Sequence, residues 1–166
     1  MKTRIKKSQC SRPGNERLPT RAIRTFLADG DPFMLALLTK FLLNDDRIII
    51  VGSAMDGHKA FQPAVMSYPD LVLVNLHMPG LDGLQITRWL KQLWNPPVVF
   101  IVTYENCAED RARSLAAGAD GFLVKAPDLA AQIQTAIENS FPNDFEKENK
   151  KAIHSHETIT GAKSAN

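Results

Sequence analysis

Five short apolar runs divide the chain: Ile23–Ala28, Ile48–Val51, Leu71–Leu76, Val98–Val102 and Gly121–Val124. None of them alternates apolar with polar residues. A strand with one wet face shows such alternation, so continuous runs predict strands buried on both faces. Segments of helical spacing lie between them. Asp31-Pro32 marks a helix start, with Asp suited to the cap and Pro to the first turn. Phe33, Leu37, Leu38, Phe41 and Leu42 follow at helical intervals. After Asp56-Gly57, read as a turn, a helix reaches Ser67, with Pro63 placed to kink it. Gly83–Leu93 reads as a helix stopped by Asn95-Pro96-Pro97. Ala108–Ala117 is closed by Gly118, a good residue just past a helix end. Asp128–Phe141 is the last helix, with Asp128 as its cap. Strands alternating with helices predict an α/β fold: a five-stranded parallel sheet covered by helices on both faces.

Charge marks out what surrounds this unit. Residues 1–24 hold eight bases and one acid, a net of +7. Residues 25–142 hold eight bases and thirteen acids, a net of −5, and residues 143–166 hold four of each. Residues 1–22 offer almost nothing to bury and read as a disordered basic arm. Residues 23–142 are the folded domain, and residues 143–166 read as a polar tail. At this length one domain and two tails are expected, with no effector beside them.

Several classes are excluded. No apolar run approaches the ~18–20 residues of a membrane span. No apolar stretch follows the basic start, so a secretory signal is not expected. Cys10 and Cys107 are too few for a disulfide framework, which fits a reducing cytoplasm. There is no Gly-rich phosphate loop, no nucleophile elbow and no zinc-ligand spacing, and no enzyme is expected.

In open α/β sheets, ligands meet the carboxyl ends of the strands. Asp29-Gly30-Asp31-Pro32 follows the first strand. The third runs into Asn75-Leu76-His77-Met78-Pro79-Gly80-Leu81-Asp82-Gly83. Thr103 follows the fourth and Lys125 the fifth. An acid, a carboxamide, a hydroxyl and an ammonium are thus expected at one rim.

These residues carry a resemblance. The segment from Pro69 to Gly83, the Ala28-Asp29…Pro32 turn, the Val102-Thr103 step and the stretch from Gly118 to Lys125 resemble, in that order, the receiver domains of bacterial two-component response regulators. The resemblance covers about residues 23–142 and is closest to receivers that precede helix-turn-helix domains. It implies a flavodoxin-like doubly wound sheet of strand order 2-1-3-4-5. It also implies a chemistry. A histidine kinase passes a phosphoryl group to an aspartate at the end of strand three. Two acids after strand one help hold Mg²⁺, and a Thr and a Lys contact the phosphoryl oxygens. An aromatic three residues before the Lys swings inward, a position held here by Phe122.

The sequence departs from that pattern at the centre. The phosphoacceptor position is Asn75, whose carboxamide is uncharged and a poor nucleophile. The second acid after strand one is Gly30. Tyr104 stands where the family commonly has a small residue, which would crowd the rim. Asp29, Thr103 and Lys125 are retained. Asp29 and Lys125 alone sum to zero charge, so a structural ion pair is expected; at ~4 Å and an effective dielectric of ~20 its Coulomb scale is about 4 kcal/mol before desolvation. Asp29, Asp31 and the His77 carbonyl are the remaining metal candidates, and little or no Mg²⁺ binding is expected, because that ion demands near-octahedral oxygen ligation. Phe122 is expected as a core aromatic. Cys107 reads as a helix-start thiol, and His154 and His156 are too thin a pair for a metal.

The resulting expectation is a stand-alone atypical receiver acting as a phosphorylation-independent binding module. Its partner would be a histidine kinase, another response regulator or itself, docking on the face of helix four, strand five and helix five. Two alternatives stay open. One is a phosphorelay acceptor using another carboxylate. The other is a nucleic-acid-associated regulator using the basic arm, for which no interleaved aromatics or recognition helix speak.

Overall fold

The computed structural model describes residues 22–142. The basic arm up to residue 21 and the tail from 143 lie outside the described residues. Ten elements alternate: β1 Ile23–Ala28, α1 Pro32–Leu42, β2 Ile48–Ala54, α2 Gly57–Met66, β3 Leu71–Asn75, α3 Gly83–Lys91, β4 Val98–Thr103, α4 Ala108–Ala116, β5 Gly121–Val124 and α5 Leu129–Ser140. The strands form one sheet in the order β2-β1-β3-β4-β5, every pairing parallel. This is the doubly wound, flavodoxin-like arrangement expected from the sequence.

The two faces explain the unbroken apolar runs. Along β3, Leu71 and Leu73 point to a core shared with Met34, Leu38 and Leu42 of α1 and Leu129, Ile133 and Ile137 of α5. Val72 and Val74 point the other way, into a core with Ala60 and Ala64 of α2, Leu84, Ile86 and Leu90 of α3, and Ala117. Successive side chains of a strand alternate faces, so a strand between two cores needs apolar residues at every position.

Three local expectations are corrected. Ile48–Val51 was expected to be buried on both faces, yet β2 is an edge strand and Ile49 is exposed. The inward stripe of α1 is Met34, Leu38 and Leu42; Phe33 and Leu37 face outward. Asp128 occupies the cap position of α5 but makes no cap hydrogen bond. Its Oδ1 accepts instead from Gln132 Nε2 at 3.0 Å. Gln132 in turn bonds the exposed edge of β5, accepting from Val124 N at 3.0 Å and donating to Val124 O at 3.2 Å. A side chain thus supplies what a sixth strand would.

Asp31 and Gly118 act as the sequence predicts. Asp31 Oδ1 caps α1 by accepting from Phe33 N at 2.9 Å. Asp56-Gly57 is more than a turn, since Asp56 Oδ1 caps α2 through His58 N at 2.8 Å. Pro63 sits inside α2, which continues through it. Gly118 closes α4 at φ +96°, a left-handed conformation that glycine adopts without steric cost.

Candidate functional site

The carboxyl ends of β1, β3, β4 and β5 bring the expected residues to one rim, and burial decides their state. Asp29 follows β1 and is fully buried. Lys125 follows β5, its side chain 2% exposed, and its Nζ lies 2.7 Å from Asp29 Oδ2. The ammonium approaches that oxygen outside hydrogen-bonding angles, so Oδ2 has an ionic partner but no directed hydrogen bond. Asp29 Oδ1 accepts from Asp31 N at 3.1 Å. On its other side Lys125 Nζ sits 4.7 Å from the centre of the Tyr104 ring. That ring is exposed and roofs the ammonium, a cation–π contact in place of the crowding expected at this position.

Asn75 is the last residue of β3. Its Nδ2 donates to the backbone carbonyl of His77 at 2.7 Å. A carboxylate at position 75 has no hydrogen to offer that carbonyl; two oxygens held there need a cation between them. The carboxamide joins them with its own N–H. The His77 imidazole turns outward, its Nε2 3.9 Å from Glu105 Oε1.

Thr103 ends β4 and is fully buried. Its hydroxyl donates to Glu105 Oε2 and accepts from Glu105 N at 3.3 Å. These bonds, the Thr103 hydroxyl foremost, hold the Glu105 carboxyl below its ordinary pKa. Glu105 was missed at sequence level. A polar residue two positions beyond a strand-end Thr is the only signal that points to it. Phe122 is buried in the core on the α2–α4 face, with the Arg111 guanidinium 4.8 Å from its ring centre. The expected Asp29–Lys125 contact therefore forms, while Asn75 and Thr103 are engaged by other neighbours.

The same geometry tests the rim against Mg²⁺. Asp29 presents one oxygen to an ammonium, Asp31 spends one carboxylate oxygen on the α1 cap, and Asn75 aims a nitrogen donor at the His77 backbone carbonyl. Position 30 has no side chain; a Cβ there would lie 3.0 Å from Pro79 Cδ. Among the described residues no three His, Cys, Asp or Glu side chains gather as a metal-binding group. These donors do not fit an ion that demands near-octahedral oxygen ligation.

Comparison with known proteins gives a family. Residues 25–138 match the response regulator receiver domain. Response regulator GacA of Pseudomonas viridiflava is 34% identical over 114 residues, which is 68% of this chain and 52% of that protein. A protein-glutamate methylesterase/protein-glutamine glutaminase of Symbiobacterium thermophilum is 35% identical over 106 residues, 63% of this chain and 29% of the relative. The chain thus spans about half, or less, of the curated relatives it matches. Among solved structures, the signal receiver domain of NarL from Mycobacterium tuberculosis superposes with a TM-score of 0.68 at 23% identity, covering 74% of this chain and 99% of that one. The response regulator domain of Thermotoga maritima CheB gives 0.67 at 24% identity, covering 74% and 98%. These structural likenesses carry the fold. No helix among the described residues is long and apolar enough to cross a membrane. Since the match runs from β1 into α5, across all the elements that build the rim, the chain belongs to the response regulator receiver domain family of two-component signalling.

Proposed function

We propose that this receiver domain works without phosphoryl transfer at position 75, as a binding module for a protein partner. The observation that carries the proposal is the hydrogen bond from Asn75 Nδ2 to the His77 carbonyl. It places a non-nucleophilic nitrogen where acceptor chemistry needs a carboxylate oxygen, and it occupies the carbonyl that would help hold a cation. The buried Asp29–Lys125 pair supports the same reading, since each charge already has its counter-charge. Little Mg²⁺ binding follows from these two features, and no catalytic role is assigned to the rim.

The output surface in this proposal is the face of α4, β5 and α5. It carries an exposed Leu115 and a shallow groove of about 600 Å³ beside Arg111, Phe122 and Gln132. A histidine kinase, another response regulator or a second copy would dock there. The basic arm is given no nucleic-acid role, and a cytoplasmic setting suits a signalling partner of this kind.

The experiment is incubation of the full chain with acetyl phosphate and Mg²⁺, followed by intact-mass measurement. The unchanged mass is expected. A gain of one phosphoryl group that is lost on base treatment overturns the proposal, and its position would identify the carboxylate of a phosphorelay acceptor.

A further inference from the structure

One end of the sheet carries a second concave surface, remote from the rim. The carboxyl-terminal turn of α1, the loop before β2 and one side of α5 enclose a groove of about 530 Å³. Its floor is apolar, with half-buried Phe41 beside Ile133 and Ile137. Its charged lining consists of Asp45, Asp46, Glu138 and Arg47, a net of −2. The Arg47 guanidinium lies on Asp45 at 2.6 Å and also bonds the Phe141 carbonyl at 2.8 Å. The acidic balance therefore rests on Asp46 and Glu138, both exposed.

We propose that this groove is the docking site for the chain's own basic amino-terminal segment, residues 1–21. Three observations converge on that occupant. The first is attachment. Ile23 N donates to Arg47 O at 2.7 Å, so the chain enters β1 beside a residue that lines the groove. Twenty-one residues span at most roughly 70 Å when extended, so the segment reaches the whole groove. A short tether also gives it an effective concentration in the millimolar range. The second is charge. Residues 1–21 carry seven bases against one acid, whereas residues 143–166, which follow on from Phe141, balance four against four. Only the amino-terminal segment is drawn by an acidic rim. The third is the pairing of an apolar floor with that rim. The segment offers Ile5 and Leu18 among its bases, and long Lys and Arg side chains bring apolar stems of their own.

The segment carries its own reporter position, Cys10. A nitroxide attached there, in a full chain bearing Cys107→Ser, is expected to broaden the backbone amide signals of residues 44–47 and 130–138. Ser is an effective helix cap, so that replacement leaves the start of α4 in place. The broadening is expected to fall as salt is raised, because screening shortens from about 8 Å at physiological ionic strength to about 3 Å at 1 M. It is also expected to be lost in the double variant D46N/E138Q. Both positions are exposed, so that variant keeps the fold, and its unchanged amide spectrum elsewhere checks this. Broadening absent from those residues, or persisting in the double variant, overturns the proposal. So does broadening seen only between labelled and unlabelled molecules, which would make a second copy the occupant.

Discussion

Lys125 Nζ and Asp29 Oδ2 face each other at 2.7 Å with both side chains essentially sealed from water. The pair joins the two ends of the rim, since Asp29 follows β1 and Lys125 follows β5. An isolated buried charge is far costlier than a paired one. Lys125→Met keeps the volume and leaves the Asp29 carboxylate without its counter-charge. We expect a loss of about 3–5 kcal/mol, typical of breaking a buried pair from one side. Tyr104→Ala removes only the ring over the ammonium, and about 1 kcal/mol is expected at so exposed a site. Urea unfolding of the full chain measures both. Equal losses would show that the pair contributes nothing beyond the ring contact.

Replacing Asn75 with Asp separates the roles of metal and carboxamide. The variant loses the N–H that holds the His77 carbonyl and sets two oxygens against each other. A loss of about 1–3 kcal/mol is expected in the absence of divalent ions. Adding Gly30→Asp supplies a second acid, at the cost of a few tenths of an ångström of movement at Pro79. Millimolar Mg²⁺ is expected to raise the Tm of the double variant and leave that of the natural chain unmoved. A rise of the same size in both would place Mg²⁺ on the natural rim.

The strands were legible in the sequence because the inner part of each central one is an unbroken apolar run, Phe26–Ala28, Leu71–Val74 and Val98–Val102, a pattern few other structures require. Ile23–Ala28 and Gly121–Val124 are found with the bounds expected. Ile48–Val51 shows the limit of that signal. A β-branched run reads as doubly buried, yet neighbours in the sheet decide exposure, and β2 has only one. The rim was legible as a set of residues but not as a set of contacts. Asn75 and Thr103 could be named from spacing. That the first bonds the His77 backbone and the second bonds Glu105 depends on side-chain directions that spacing does not carry. Phe33 and Leu37 misled for a similar reason. Helical intervals fit two overlapping faces of α1, and only packing against α5 and the sheet selects Met34, Leu38 and Leu42.

Glu105 should titrate below the ordinary glutamate range as long as Thr103 donates to it. The Thr103 hydroxyl is the largest cause, followed by the Glu105 backbone N–H. A carboxyl whose folded pKa is depressed adds stability that is present above its unfolded pKa. That contribution is lost as pH falls through the lower folded value. The side chain is 46% exposed, so solvent screening keeps the effect on overall stability small. The titration itself is the sharper readout. In Thr103→Val the Glu105 carboxyl is expected to return upward toward its usual range, followed by carbon-detected NMR. An unchanged midpoint would mean that the Thr103 bond does not set it.

Two backbones of the rim approach closely at Gly83. A Cβ built at Gly83 would stand 2.3 Å from the Asn75 carbonyl oxygen and 3.0 Å from its carbon. Gly83 N also donates to Leu76 O at 2.8 Å, which draws the start of α3 against the end of β3. At an ordinary helix position, Gly→Ala gains about 0.5–1 kcal/mol because alanine loses less backbone freedom on folding. Here the obstructing atoms are main chain and cannot swing aside, so the helix start and residue 75 must separate. Overpacking of this kind costs about 1–3 kcal/mol. Gly83→Ala is therefore expected to lower the urea midpoint and to shift the Asn75 side-chain amide signals, since the loop that carries the His77 carbonyl moves with it. A midpoint at or above that of the natural chain would show that the approach is not tight in solution. Gly118→Ala provides the contrast. Its nearest obstacle is the flexible Lys91 side chain at 3.1 Å, so its cost comes from the left-handed φ of +96°, and the Asn75 signals should stay in place.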